Sequence, residues 1–329
     1  MEKIEIQNKL LELTEREIGL NEIIKELEIN EYEILGIVRE LREKGINISV
    51  KVHDDDIYLF NQGEKENEED YTYKIDTDKY NEFKFIAISD SIIGSKYQQL
   101  SILNDIYQKG NEMGYNNVIH CGNLTAGLYP ISNPYSDGCF LDDTMRQVDY
   151  IINNYPKIEG MKTYFITGPL DEKHLKKNKI NIGKRISESR KDMIYLGFNS
   201  CMVEIDKTKM FVLCSKLGKT YTVSYRSQQQ VDSFRSEDKP DILLLGGLLQ
   251  MEKYTYRDVK VMSVPSICAS TKEMTEKRYQ NTVGAWYVTV KTNQKGYLES
   301  INALDSVYYV TNKNDYVKTR TPKNSNGGK

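Results

Sequence analysis

No apolar run in these 329 residues approaches the roughly 20 that a membrane-spanning helix requires. The opening stretch, MEKIEIQNKLLELTERE, is too acidic and too amphipathic for a secretory signal, so the chain is expected in the cytoplasm with no membrane partner. Cysteine is scarce and unpatterned: Cys121, Cys139, Cys201, Cys214 and Cys268 are odd in number, widely spaced and form no CxxC motif. That argues against both a disulfide framework and a structural zinc site, and leaves buried thiols. Charge of one sign is lacking too. A formal net charge of −3 gives no chain-wide footprint for nucleic acid, so any contact with phosphate backbones has to be local. Histidine is limited to His53, His120 and His174, which restricts any site built on imidazole.

What remains is the composition of a folded chain long enough for one small and one enzyme-sized domain. Residues 1–62 read as three helices and a hairpin. Ile4, Leu10, Leu11 and Leu13 fall on a first helix, and Leu20, Ile23, Ile24 and Leu27 on a second. Ile34, Ile37, Val38 and Leu41 line a third that stops at Gly45, and INISVKV and DIYLFN alternate around Asp54, Asp55 and Asp56. That order predicts a winged helix. Residues 1–63 hold 15 Asp and Glu against 8 Lys and Arg, and the third helix carries Glu31, Glu33, Glu40 and Glu43. Such a helix is poorly suited to a DNA groove, so the module is expected to dock on protein, and nucleic acid is a partner that charge does not support.

Residues 63–81 are polar and acidic and predict a solvated linker; residues 312–329 are polar, basic and rich in Asn and Gly and predict a disordered tail. Between them, over 82–311, apolar strands such as FKFIAIS, NNVIHC, KTYFIT and DILLLG alternate with amphipathic helices, notably YQQLSILNDIYQKGNEM and DDTMRQVDYIINNY. Alternation followed by a strand-rich end predicts a layered α/β sandwich rather than a simple doubly wound sheet.

Five junctions after strands stand out: FIAISDSIIGSKYQQL, NNVIHCGNLTAG, TYFITGPLDEKH, MFVLCSKLGKTYTVSYRSQQQ and DILLLGGLLQM. In order and spacing they resemble the calcineurin-like metallophosphoesterases, whose pattern is D-x-H, G-D, G-N-H-D, a lone His and G-H-x-H. Longer tracts, GMKTYFITGPLDE and INIGKRISESRKDMIYLG among them, are similar to phage-type and archaeal members that carry an N-terminal winged helix. The resemblance implies an α/β/β/α sandwich over 82–311. It also implies that strand-end loops converge where two metal ions would sit.

On that alignment Asp90 keeps the first aspartate, while Ile92 stands at the paired histidine and Asn123 at the bridging aspartate. Pro169 and Leu170 replace the ligand Asn and the catalytic His, Cys214 the lone His, and Gly247 and Leu249 the last two histidines. Asp90 and Asn123 are thus the vestigial metal positions. A neutral amide cannot offset the repulsion of two dications, and an aliphatic side chain cannot protonate a leaving oxygen. The expectation is a binding scaffold without hydrolytic activity and without a cofactor, with a protein partner.

The competing readings are a phosphoesterase or nuclease with a rearranged site, holding Mn, Fe or Zn on Asp90, Asn123, His174 and Cys214, and a winged-helix nucleic-acid regulator. Asp90 taken structurally ties down its loop, and Asp171 sets loop geometry. His120 reads as a bonded core imidazole, His53 as a surface residue and His174 as a solvated loop residue. GKTYT at Gly218 lacks the upstream glycine of a phosphate loop and is set aside.

Overall fold

The computed structural model describes residues 3–14, 18–43, 46–53, 56–64, 72–128, 138–141, 143–216, 224–312 and 314–316. The chain divides into two compact units, Met1–Tyr71 and Thr72–Lys329. In the first, helices α1 (Lys3–Leu13), α2 (Leu20–Leu27) and α3 (Glu31–Glu43) accompany strands β1 (Ile18–Gly19), β2 (Ile46–His53) and β3 (Asp56–Glu64). The strands pair in the order β1-β3-β2, so the expected helices and hairpin are joined by one short extra strand. Leu10, Ile23, Leu27, Ile34, Val38, Ile48 and Leu59 close the core. A reciprocal cap starts α3: Asn30 Oδ1 accepts from Glu33 N at 3.0 Å, and Asn30 N donates to Glu33 Oε2 at 3.2 Å. Gly45, Asp54, Asp55 and the side chains of Ile4 and His53 lie outside the described residues.

The second unit is built on two six-stranded sheets. One runs β15 (Leu298–Val307), β14 (Gly284–Thr292), β5 (Glu82–Ile88), β6 (Asn117–Cys121), β7 (Lys162–Thr167) and β8 (Met193–Phe198), with β5 to β8 parallel. The other runs β12 (Glu252–Tyr256), β13 (Val259–Ser263), β11 (Ile242–Gly246), β10 (Thr208–Cys214), β9 (Ser200–Ile205) and β4 (Thr72–Ile75). Phe85, Ile119, Ile166, Val212, Leu244 and Trp286 fill the space between the sheets. Helices α4 (Leu100–Glu112), α5 (Thr144–Asn154) and α7 (Ile182–Ser189) cover the first sheet through Leu103, Ile106, Val148, Ile151 and Ile186. Val231 of α8 (Tyr225–Ser233) packs on Leu243, Val259 and Val261 of the second sheet. Helix, sheet, sheet, helix is the layered α/β sandwich the sequence led us to expect, completed by the short helices α6 (Glu172–Asn178) and α9 (Lys272–Glu276).

Two expected boundaries shift. Thr72–Ile75, inside the stretch read as linker, is a strand parallel to β9. The following Thr77 donates from N (3.1 Å) and Oγ1 (2.8 Å) to Asp206, which also accepts from Thr292 Oγ1 at 2.7 Å. At the other end, Asn312 and Gln99 exchange hydrogen bonds at 2.7 and 2.8 Å, Ser101 N donates to Asp315 at 2.8 Å, and Tyr316 stacks on Phe140 at 4.3 Å. Polarity suggested linker and tail, but hydrogen bonding can hold polar chain as firmly as burial does. Residues 65–71 and 317–329 lie outside the described residues.

Arg190, 5% exposed, fastens α7 to the end of α5. It donates to the carbonyls of Ile152 (3.2 Å), Tyr155 (3.1 Å) and Pro156 (2.9 Å) and forks onto Asp192. Arg190→Met leaves those acceptors unmet, so we expect a loss of about 3 kcal/mol in unfolding free energy. The single tryptophan, buried Trp286 in β14, reports the transition of this unit by fluorescence in a urea titration.

Candidate functional site

The loops that follow β5, β6, β7, β10 and β11 meet at one end of the sandwich, as the junction motifs imply. The loop after β5 is laced to the loop after β6 by backbone bonds: Asp90 N to Gly122 O at 3.0 Å, Ile92 N to Asn123 O at 3.3 Å, Ile93 N to Leu124 O at 2.9 Å and Ala126 N to Ile93 O at 2.9 Å. This lacing fixes an unusual backbone. Asp90 (φ 49°), Ile92 (47°), Asn123 (53°) and Leu249 (61°) are all left-handed, as is Gly247 (81°). A β-branched residue in that region is a steric outlier, costing on the order of 1–3 kcal/mol. These residues coincide with the motif positions at which the resemblance places metal ligands.

Asp90 lies at the centre, 1% exposed. Its Oδ2 accepts from Ser89 Oγ at 2.8 Å and from Gly247 N at 2.9 Å, and its Oδ1 accepts from Asn123 Nδ2 at 2.8 Å. Asn123 Oδ1 in turn accepts from Leu170 N at 3.1 Å. A backbone N–H can only donate, so the amide is oriented: its oxygen faces the β7 loop and its N–H faces the carboxylate. One carboxylate therefore ties the ends of β5, β6 and β11, and through Asn123 that of β7.

Asp171 makes a second knot. It accepts from Leu124 N (3.0 Å), Thr125 N (2.8 Å), Thr125 Oγ1 (2.6 Å) and Gly168 N (2.8 Å), the loop-setting role expected of it. His174 corrects the sequence reading: it is buried, not solvated. Its Nε2 is 3.0 Å from Thr125 Oγ1 and its Nδ1 3.0 Å from Thr144 Oγ1, while Asn178 Nδ2 donates to Thr144 Oγ1 at 2.8 Å. Since the Thr125 hydroxyl is committed to Asp171, the proton order is set along Asn178, Thr144, His174, Thr125 and Asp171, with His174 neutral and protonated on Nε2. Burial pushes His174 down to about 4. Thr125 and Thr144 carried no motif signal; a hydroxyl bonded to a buried imidazole is visible only in three dimensions. His120 is a core imidazole as expected, with Nε2 at 2.9 Å from Ser91 Oγ.

The remaining positions are filled rather than open. Ile92 and Leu249 join Ala126, Cys268 and Met274 in a small apolar cluster against which Leu170 packs. Cys214 is buried, and burial beside Asp90, Asp171 and Cys121 pushes its thiol well up. Its Cβ and Sγ lie 2.5 and 2.6 Å from where a side chain on Gly122 would begin. A Cβ on Gly247 would stand 1.9 Å from Ser215 O. These residues do not fit a two-metal centre: both Asp90 oxygens are bonded, Asn123 presents a donor, and the other positions offer carbon or no side chain. The alternative set is not assembled either, because both ring nitrogens of His174 are held by threonines. Among the described residues no group of three or more His, Cys, Asp or Glu side chains is placed to hold an ion.

No family model matches the sequence. No curated protein matches it. Among solved structures the chain is similar to an archaeal phosphodiesterase, at 13% identity over 68% of this chain and 99% of that one with a TM-score of 0.39. It is similar to Vps29 from Entamoeba histolytica complexed with zinc, at 10% identity over 68% and 98% with a TM-score of 0.34. It is also similar to a 5'-nucleotidase from Staphylococcus aureus, at 10% identity over 71% and 56% with a TM-score of 0.37. At these identities and scores the likeness assigns no chemistry to this chain. No helix among the described residues is long and apolar enough to cross a membrane.

Two outcomes follow from the packing. Gly247→His drives a side chain into Ser215 O at a left-handed residue, and we expect at least about 3 kcal/mol of destabilisation by Trp286 fluorescence. Burial pushes the Asp90 carboxyl up to about 6, against the hydrogen bonds from Asn123, Ser89 and Gly247 that hold it down. The folded chain thus holds that proton more tightly than the unfolded one, so the contribution to stability is full below the ordinary value of 3.8 and is lost as pH rises through about 6. Relative to Asp90→Asn, the native chain should lose on the order of 3 kcal/mol between about pH 4 and pH 7, read from paired urea titrations.

Proposed function

We propose that this chain is a metallophosphoesterase-fold binding module that has given up two-metal hydrolysis. The observation that carries this reading is the Asp90–Asn123 hydrogen bond at 2.8 Å. A bridging carboxylate between two dications is replaced by an oriented amide whose N–H points to the only retained ligand. A cation brought to Asp90 would face that donor. With Leu170 at the general-acid position there is no proton for a leaving oxygen. Strand-end loops closed by Asp90, Asp171 and an apolar cluster give a rigid surface rather than a reaction chamber. The order of helices and strands in the first unit supports a winged helix, and its excess of acid supports a protein partner over a DNA groove. Five cysteines outside any disulfide suit a reducing, cytoplasmic setting.

The test is metal analysis of the purified chain together with an assay on a generic phosphodiester with added Mn²⁺. We expect substoichiometric Mn, Fe and Zn and no turnover above background. Robust turnover that Asp90→Ala abolishes would overturn the proposal.

A further inference from the structure

The α6–α7 segment carries a concentration of charge that the loop site does not use. From Lys173 to Arg185 the sequence KHLKKNKINIGKR holds six cations and no Asp or Glu, in a chain whose formal net charge is −3. Lys176, Lys177, Lys179, Lys184 and Arg185 are all exposed. Their convergence is a product of the fold. Lys179 ends α6 in a left-handed conformation (φ 57°), and Asn181 caps α7 by accepting from Lys184 N at 3.1 Å, so the chain reverses between two short helices. Buried His174 and the Asn178–Thr144 bond pin α6 from beneath.

Among the described residues Glu172 meets Lys176 at 2.7 Å and Glu188 meets Arg185 at 3.7 Å, and Lys179 and Lys184 also have partners. Exposed pairs of this spacing are worth tenths of a kcal/mol and yield readily to a stronger anion. Of the acids near α6, Asp90 and Asp171 are 1% and 2% exposed, while Asp143 at the start of α5 is exposed and acts on His174. Phe198, 40% exposed, closes β8 opposite Thr167, from which the chain runs through Pro169 into α6.

We propose that the α6–α7 turn is a docking surface for the phosphate backbone of single-stranded nucleic acid, with Lys176, Lys177, Lys184 and Arg185 meeting phosphates and Phe198 offering a face for a base. This rests on the reading of the chain as a binding module and names one thing it binds. An acidic protein segment fits less well. Leu175 and Phe198 are the large exposed apolar side chains at this surface, too few for the centre of a protein interface, and rim charges alone add little to such affinity. Phosphate contacts release counterions and so supply binding without an apolar core, and an aromatic beside them suits unpaired bases.

The experiment is fluorescence anisotropy of a labelled single-stranded oligodeoxynucleotide of about 20 nucleotides, titrated with the full chain between about 50 and 200 mM salt. The native chain is expected to bind at low salt and weaken steeply. Lys176→Gln/Lys177→Gln/Lys184→Gln, exposed changes whose folding Trp286 fluorescence checks, should flatten the salt slope by about 2 and cost at least about tenfold at low salt. Phe198→Ala should weaken binding with the slope unchanged. Absence of binding at the lowest salt, a triple variant with native slope and affinity, tighter binding of a duplex, no effect of Phe198→Ala, or equal binding of a labelled polyglutamate would each overturn the assignment. Phosphodiester turnover measured on the same samples reports separately on the loop site, so either reading can fail while the other stands.

Discussion

A carboxylate with almost no access to water, held by a hydroxyl, an amide and a backbone N–H, is the constraint around which the second unit closes. Asp90 sits where four strands end, and each of its partners belongs to a different stretch of chain: Ser89 beside it, Asn123 after β6, Gly247 after β11. Burying such a group is unfavourable unless its lone pairs are met, and here two of the three donors come from residues with left-handed backbone, Asn123 and Gly247. The turns and the hydrogen bonds support one another. Left-handed turns at Asp90, Asn123 and Gly247 aim the donors inward, and the carboxylate holds the turns in place.

Hydrogen-bond donors gathered on one buried carboxylate explain how the loops hold this shape. Metal ions would draw carboxylates and imidazoles together; in this chain Asn123, Ser89 and Gly247 supply the positive ends of dipoles instead. Around them Ile92, Leu249 and Leu170 make a small piece of core at the strand ends. Deeper still, the ordered run from Asn178 to Asp171 locks α6 to the loop after β6. The basic turn between α6 and α7 is therefore presented on a stiff base, which favours an extended polyanion that must be met by several side chains at once.

Much of this was legible in the sequence, for a physical reason. Strands buried on both faces, such as ILLLG in β11, read as unbroken apolar runs, and the junction motifs that follow them placed Asp90, Asn123, Leu170, Gly247 and Leu249 in one neighbourhood. What escaped was of three kinds. Edge strands β4, β12 and β15 are polar on alternate or successive positions and carry no core signal. His174 stands in a lysine-rich helix whose composition hides one inward-facing residue. The docking of Asn312–Tyr316 depends on hydrogen bonds to Gln99 and Ser101, more than two hundred residues away in sequence, which periodicity does not reveal.

The approach of Gly247 to the Ser215 carbonyl decides more than packing. A Cβ at 247 would meet that oxygen at 1.9 Å, so no side chain enters there unless the chain after β10 first moves aside. Position 247 is closed to any ligand-bearing residue by shape alone, whatever chemistry that residue would bring.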